Sequence, residues 1–125
     1  MLDALNEFIA GLNGHDVHAW ADTIHFPHLR VHEGALTVWQ TREEYVERSR
    51  QELADLLGSG WSHSSLDSWS IVHQSRTNAH VAVRFGRFDA TGDRLSTFDS
   101  LYILKRADHR WGVLARIGFE VQLVS

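Results

Sequence analysis

The sequence has no cysteine, a single proline (Pro27), a single methionine, and only one lysine, Lys105, among its twelve basic residues. Without cysteine there is no disulfide scaffold, no thiol nucleophile and no thiolate metal site. No run of about 18 apolar residues occurs, so no membrane-spanning helix is expected. Residues 1–7 carry acids where a secretory leader needs bases, and a cytoplasmic chain is expected on that ground. Excess positive charge is also missing. Twelve Lys and Arg stand against sixteen Asp and Glu, a formal net charge of -4, which argues against a general nucleic-acid binder. What is present is 125 residues, 43% hydrophobic, enough for one domain around one core. Nine histidines, five tryptophans and six phenylalanines stand out. They form a pocket only if the pattern brings them together.

Residues 2–13 place Leu2, Leu5, Phe8, Ile9 and Leu12 at spacings of three and four, an amphipathic helix closed by Asn13-Gly14. A second helix is expected over 16–24, with Asp16 as its cap and Val17, Trp20, Ala21 and Ile24 on its apolar face. Phe26-Pro27 ends it. Residues 28–40 read as two short strands about a Glu33-Gly34 turn. Thr41 and Glu44 have capping-box spacing and open a third helix to about residue 57, with Tyr45, Val46, Ser49, Leu53 and Leu56 on one side. From Trp61 on the pattern is strand only, near 61–73, 78–89, 95–106 and 110–122, with short connections that imply an antiparallel meander. The fold class is α+β: three N-terminal helices packed in a curved, mainly antiparallel sheet.

Five local segments carry a resemblance. They are Leu12-Asn13-Gly14-His15-Asp16, His25-Phe26-Pro27, Thr41-Arg42-Glu43-Glu44-Tyr45, Tyr102-Ile103-Leu104-Lys105 and Trp111-Gly112-Val113. With the element order they resemble the nuclear transport factor 2-like superfamily over essentially the whole chain, including its SnoaL-like cyclases and ketosteroid isomerase-like enzymes. The resemblance implies a cone-shaped α+β barrel with a pocket at the wide end, a homodimer through the outer sheet face, and cofactor-free acid/base chemistry in many members. It also places a catalytic aspartate at Asp99 and a base near His32-Glu33, with Glu33 as the candidate. The tyrosine that the isomerases use falls near Phe8, which has no hydroxyl to donate, so one of three groups is absent.

From the residues themselves, Thr97, Asp99, Leu101 and Ile103 share one strand face, where an acid among apolar neighbours would have a raised pKa. Alternation puts Trp61, His63, Ser65, Asp67, Trp69, Ile71 and His73 on one face, and His63 is a candidate acid/base. Phe8, Trp20, Trp39, Tyr45 and Phe119 are candidate walls, with His25 and His28 near the mouth. His25, His28 and His32 suggest a metal, but strand positions four apart lie about 13 Å from each other, so none is expected. The 78–89 strand is apolar on both faces, consistent with helices on one side and a partner sheet on the other. An inward Arg84 or Arg116 could bind a ligand carboxylate, or pair with an acid across the sheet.

Two function classes follow. One is a cofactor-free isomerase, dehydratase or cyclase acting on a small apolar or aromatic molecule, with Asp99, His63 and Glu33 catalytic. The other is a non-catalytic ligand-binding or dimeric assembly module. A cavity of a few hundred Å³ with Asp99 and a histidine facing it would favour the enzyme.

Overall fold

In the computed structural model, which describes residues 1–119, α1 (Leu2–Asn13) is followed by α2 (Val17–Ala21), β1 (Ile24–His32), β2 (Ala35–Trp39) and α3 (Arg42–Gly58). The meander β3 (Trp61–Gln74), β4 (Asn78–Asp89), β5 (Arg94–Ala107) and β6 (Arg110–Phe119) completes it. The six strands form one curved sheet in the order β2-β1-β6-β5-β4-β3. All neighbours are antiparallel except β1 and β6, whose parallel pairing joins the early hairpin to the last strand. The architecture is the expected α+β cone. The expected strand residues beyond 119 lie outside the described residues.

Local chemistry explains the element boundaries. Asp16 accepts hydrogen bonds from the backbone N–H groups of His18 and Ala19 and starts α2. The helix is shorter than the expected 16–24, because β1 already begins at Ile24. The left-handed residue after α1 is His15 (φ 56°), not Gly14, which stays helical at φ -75°. Gly11 is needed for another reason: a Cβ there would lie 2.8 Å from the Trp20 Cα, so α1 and α2 cross too closely for any side chain. Thr41 caps α3 by accepting from the Glu44 N–H at 3.2 Å, while the Glu44 carboxylate accepts from the Gln40 N–H at 3.0 Å. The β1–β6 register shifts between Ile24 and Leu29, where Pro27 has no N–H for a ladder.

The core lies between the helices and the concave side of the sheet. Leu5, Phe8, Tyr45, Ile24, Leu104, Val81 and Val113 are almost fully buried in it. Each of the aliphatic and Phe side chains among them contributes about 1.5–3 kcal/mol on leaving water. Aromatic edge-to-face contacts lock the helices together: Phe8 meets Trp20 and Tyr102 at 5.6 and 5.4 Å, and Tyr45 meets Trp20 and Trp39 at 5.4 and 5.2 Å. Asn13 ties the end of α1 to β3 by two 2.8 Å bonds with the Ser64 backbone.

Candidate functional site

A cavity of about 370 Å³ opens between the helices and the strands. Each element supplies its lining by its own period. Phe8, Ile9 and Leu12 come from one side of α1, Trp20 from α2, and Glu52 and Leu56 from successive turns of α3. The strands contribute alternate residues: Phe85 and Arg87 from β4; Phe98, Ser100 and Tyr102 from β5; Arg116 and Gly118 from β6. Arg30 reaches it from β1 and Ser64 from β3, while His32, Glu33 and Phe119 surround the mouth.

That alternation decides where Asp99 points. Its neighbours Phe98 and Ser100 face the cavity, so Asp99 faces the convex side. There it pairs with Arg84, its direct partner on β4, at 2.9 and 3.3 Å. The guanidinium holds the Asp99 carboxyl below the usual carboxylate range, the reverse of the expected raised pKa. The reading of residues 97, 99, 101 and 103 as one face is correct, but that face is the outer one.

His63 is not a lining residue either. Its ring stacks on Phe88 of β4 at 5.2 Å and 9°. The single face expected for odd residues of β3 does not persist, because register shifts at 61/63, 66/68 and 71/73 each change which residues oppose β4. Glu33 does reach the mouth. It sits in the turn at φ 50°, with a largely exposed carboxylate 3.9 Å from His32 Nε2.

Among the expected walls, Phe8, Trp20 and Phe119 line the cavity. His25, His28, Trp39 and Tyr45 lie in the core instead. His25 bonds the Arg110 carbonyl at 3.1 Å, and burial lowers its pKa. His28 stacks on Trp39 (5.7 Å, 28°) and accepts from Arg116 Nε at 3.2 Å. Desolvation, then the Arg116 charge, push its pKa down to about 3, so the imidazole is neutral. The Tyr45 hydroxyl accepts from Arg116 Nη2 at 3.2 Å, and burial raises its pKa to about 12.

Three of the polar residues that do face the cavity are arginines. Arg116 is buried, with its guanidinium over the rings of Phe8 (5.2 Å) and Trp20 (5.6 Å). Arg30 is its direct cross-strand partner in the β1–β6 pairing and holds Glu52 at 3.2 Å. Arg87 lies over the Phe98 ring at 4.5 Å. Burial, followed by the repulsion of a neighbouring arginine, lowers the pKa of both Arg30 and Arg87. Arg30, Arg87, Glu52 and Tyr102 were not among the expected site residues. The β4 alternation that buries Val81, Val83 and Phe85 already puts Arg87 on the same side. Among the described residues, no three His, Asp or Glu side chains converge as a metal site would require, and no helix is long and apolar enough to cross a membrane.

The fold and cavity define a class of protein, and comparison gives it a family. Residues 3–118 match the family described as "NTF2-like protein (DUF6841)", and the chain belongs to that family. Solved structures share the fold at low identity. An NTF-2 like protein of unknown function from Shewanella oneidensis superposes with a TM-score of 0.74 at 15% identity, covering 94% of this chain and 93% of that one. A function-unknown protein from Mycobacterium tuberculosis gives a TM-score of 0.79 at 13% identity, covering 98% and 75%. An ntf2-like protein with a cystatin-like fold from Novosphingobium aromaticivorans gives 0.74 at 12%, covering 93% and 76%. No curated protein matches the sequence.

Proposed function

We propose that the protein binds a small, mostly apolar or aromatic molecule in the cavity between its helices and its strands. The observation that carries this reading is the cavity itself: about 370 Å³, open at one end and walled by Phe8, Trp20, Phe85, Phe98 and Tyr102. That size falls in the range of small-molecule sites; the aromatic walls supply apolar area, and the charged and hydroxyl side chains among them can fix orientation. A thermal-shift screen with two- and three-ring aromatic compounds tests it. Occupancy should raise the unfolding temperature, by an amount that grows with the logarithm of compound concentration above Kd, and no shift with any compound contradicts the reading.

A catalytic version of this reading rests on one pair. Glu33 and His32 stand at the mouth 3.9 Å apart, where a carboxylate and an imidazole can exchange a proton with a bound molecule. Asp99 and His63, which do not line the cavity, do not support that version. Loss of turnover of a bound enolisable ketone in Glu33→Gln, with its binding retained, is the expected result.

We also propose that a second copy covers the far part of the sheet. β3 is an edge strand, and its second half is exposed on both faces, with Trp69, Ile71 and Val72 open to solvent. Edge strands with large exposed apolar residues are prone to pair with another chain. Light scattering should give a dimer mass for the wild type and a monomer mass for Trp69→Glu. A wild-type monomer at high concentration contradicts this.

A further inference from the structure

The cavity carries more positive charge than the protein around it balances. Arg30 and Arg116 are direct neighbours across the β1–β6 pairing, with side chains on the same cavity wall. Like charges in that relation repel and need a counter-charge. Glu52 supplies one at 3.2 Å from Arg30. Among the described residues, no carboxylate lies within ion-pair distance of Arg116 or Arg87.

Arg116 is nonetheless buried, only 8% exposed. An arginine stays charged at any ordinary pH, and a buried charge is costly unless paired. Its Nε–H donates to the neutral His28 ring, an Nη2–H donates to the Tyr45 hydroxyl, and the rings of Phe8 and Trp20 face its guanidinium. Those are neutral partners. They orient the guanidinium and leave its charge without a contacting carboxylate among the described residues, Glu52 acting on it only through space. Trp20, another wall residue, has a buried indole Nε1–H with no partner among the described residues.

We infer that the natural ligand is a carboxylate on an aromatic or otherwise apolar body, drawn into the cavity by the charges of Arg116 and Arg87, which have no contacting carboxylate among the described residues, with its body against Phe8, Trp20 and Phe98. This rests on the reading of the cavity as a binding site and adds the charge of what enters. A planar guanidinium matches a carboxylate in geometry, and the pair gains strength where water is excluded. A singly charged group also suits a site where Glu52 would repel a dianion.

Titration calorimetry of the full chain with 2-naphthoate and its neutral counterpart 2-naphthamide tests the inference. The acid should bind at least about tenfold more tightly than the amide, the scale of one hydrogen-bonded charge pair. Arg87→Gln should remove most of that preference, Arg116→Gln should remove it if the variant folds, and Arg84→Gln on the convex face should keep it. Equal binding of acid and amide overturns the inference and leaves the cavity reading standing. Undiminished naphthoate preference in Arg87→Gln also overturns it. Binding of neither compound overturns the cavity reading and this inference together.

Discussion

The two sides of the sheet treat arginine differently. On the convex side Arg84 meets Asp99, its partner in register, at 2.9 Å, and both side chains are more than half exposed. On the concave side Arg116 meets Arg30 in register, and its hydrogen bonds go to an imidazole and a phenol. The convex pair is electrically closed: water screens it and nothing further is required. The concave group is held in place by neutral partners and has charge to offer. The contrast separates an arginine that decorates a surface from one placed to meet something that arrives. The residue type is the same, and the face of the strand decides its role.

The largest expected effect tests how firmly the concave side is built. His28 is neutral in the folded protein, with a pKa near 3 against an ordinary 6.5. Between those values the unfolded chain binds a proton that the folded chain does not. Stability is therefore complete above about pH 6.5 and falls as pH drops below it, by up to about 1.4 kcal/mol per pH unit. His25, also lowered by burial, acts in the same direction. Urea denaturation between pH 4 and 7 should show this slope, and His28→Gln should flatten it. An unchanged slope in that variant would assign the pH dependence elsewhere.

Next in size is Arg116→Ala, which strips His28 and Tyr45 of their donor and leaves a void beside Phe8 and Trp20. A loss of about 2–4 kcal/mol is expected by denaturant titration. Tyr45→Phe removes only the hydroxyl that accepts from Arg116, at a cost of about 1 kcal/mol. Asp99→Asn should leave both the unfolding midpoint and naphthoate affinity unchanged, since Asp99 is exposed and faces away from the cavity. A large effect there would break the contrast between the two sides.

Most of the fold was legible because it depends on local rules. The i, i+3, i+4 stripe of α1, the Asp16 and Thr41 caps and the Glu33-Gly34 turn each act within a few residues, and each appears where the sequence puts it. The site was legible only in part. Phe8, Trp20 and Phe119 were identified as candidate walls because large apolar residues in such a fold line the inside of the sheet, and Glu33 because the resemblance places a base just before the hairpin turn. Asp99 was misplaced because alternation tells which residues share a face but not which face is inside. The buried phase of β5, set by Tyr102 and Leu104, answers that question and puts Asp99 outside. His63 was misplaced because bulges in β3 interrupt strict alternation, and nothing in a list of residue types announces a bulge. Arg116 was recognised as a residue with two possible fates, ligand or cross-strand acid. Arg84 took the second. Choosing between them needed the register of β1 against β6, a pairing between segments more than eighty residues apart.

The most direct measurement is nuclear magnetic resonance of the arginine side-chain Nε–H groups, followed while 2-naphthoate is added to labelled protein. The Arg116 and Arg87 signals should move with a common saturating dependence on naphthoate, and those of Arg84 and Arg94, already paired with Asp99 and Asp67, should stay where they are. Movement of Arg84 and Arg94 while Arg116 and Arg87 remain fixed would contradict the assignment of the cavity arginines as the ligand's counter-charge.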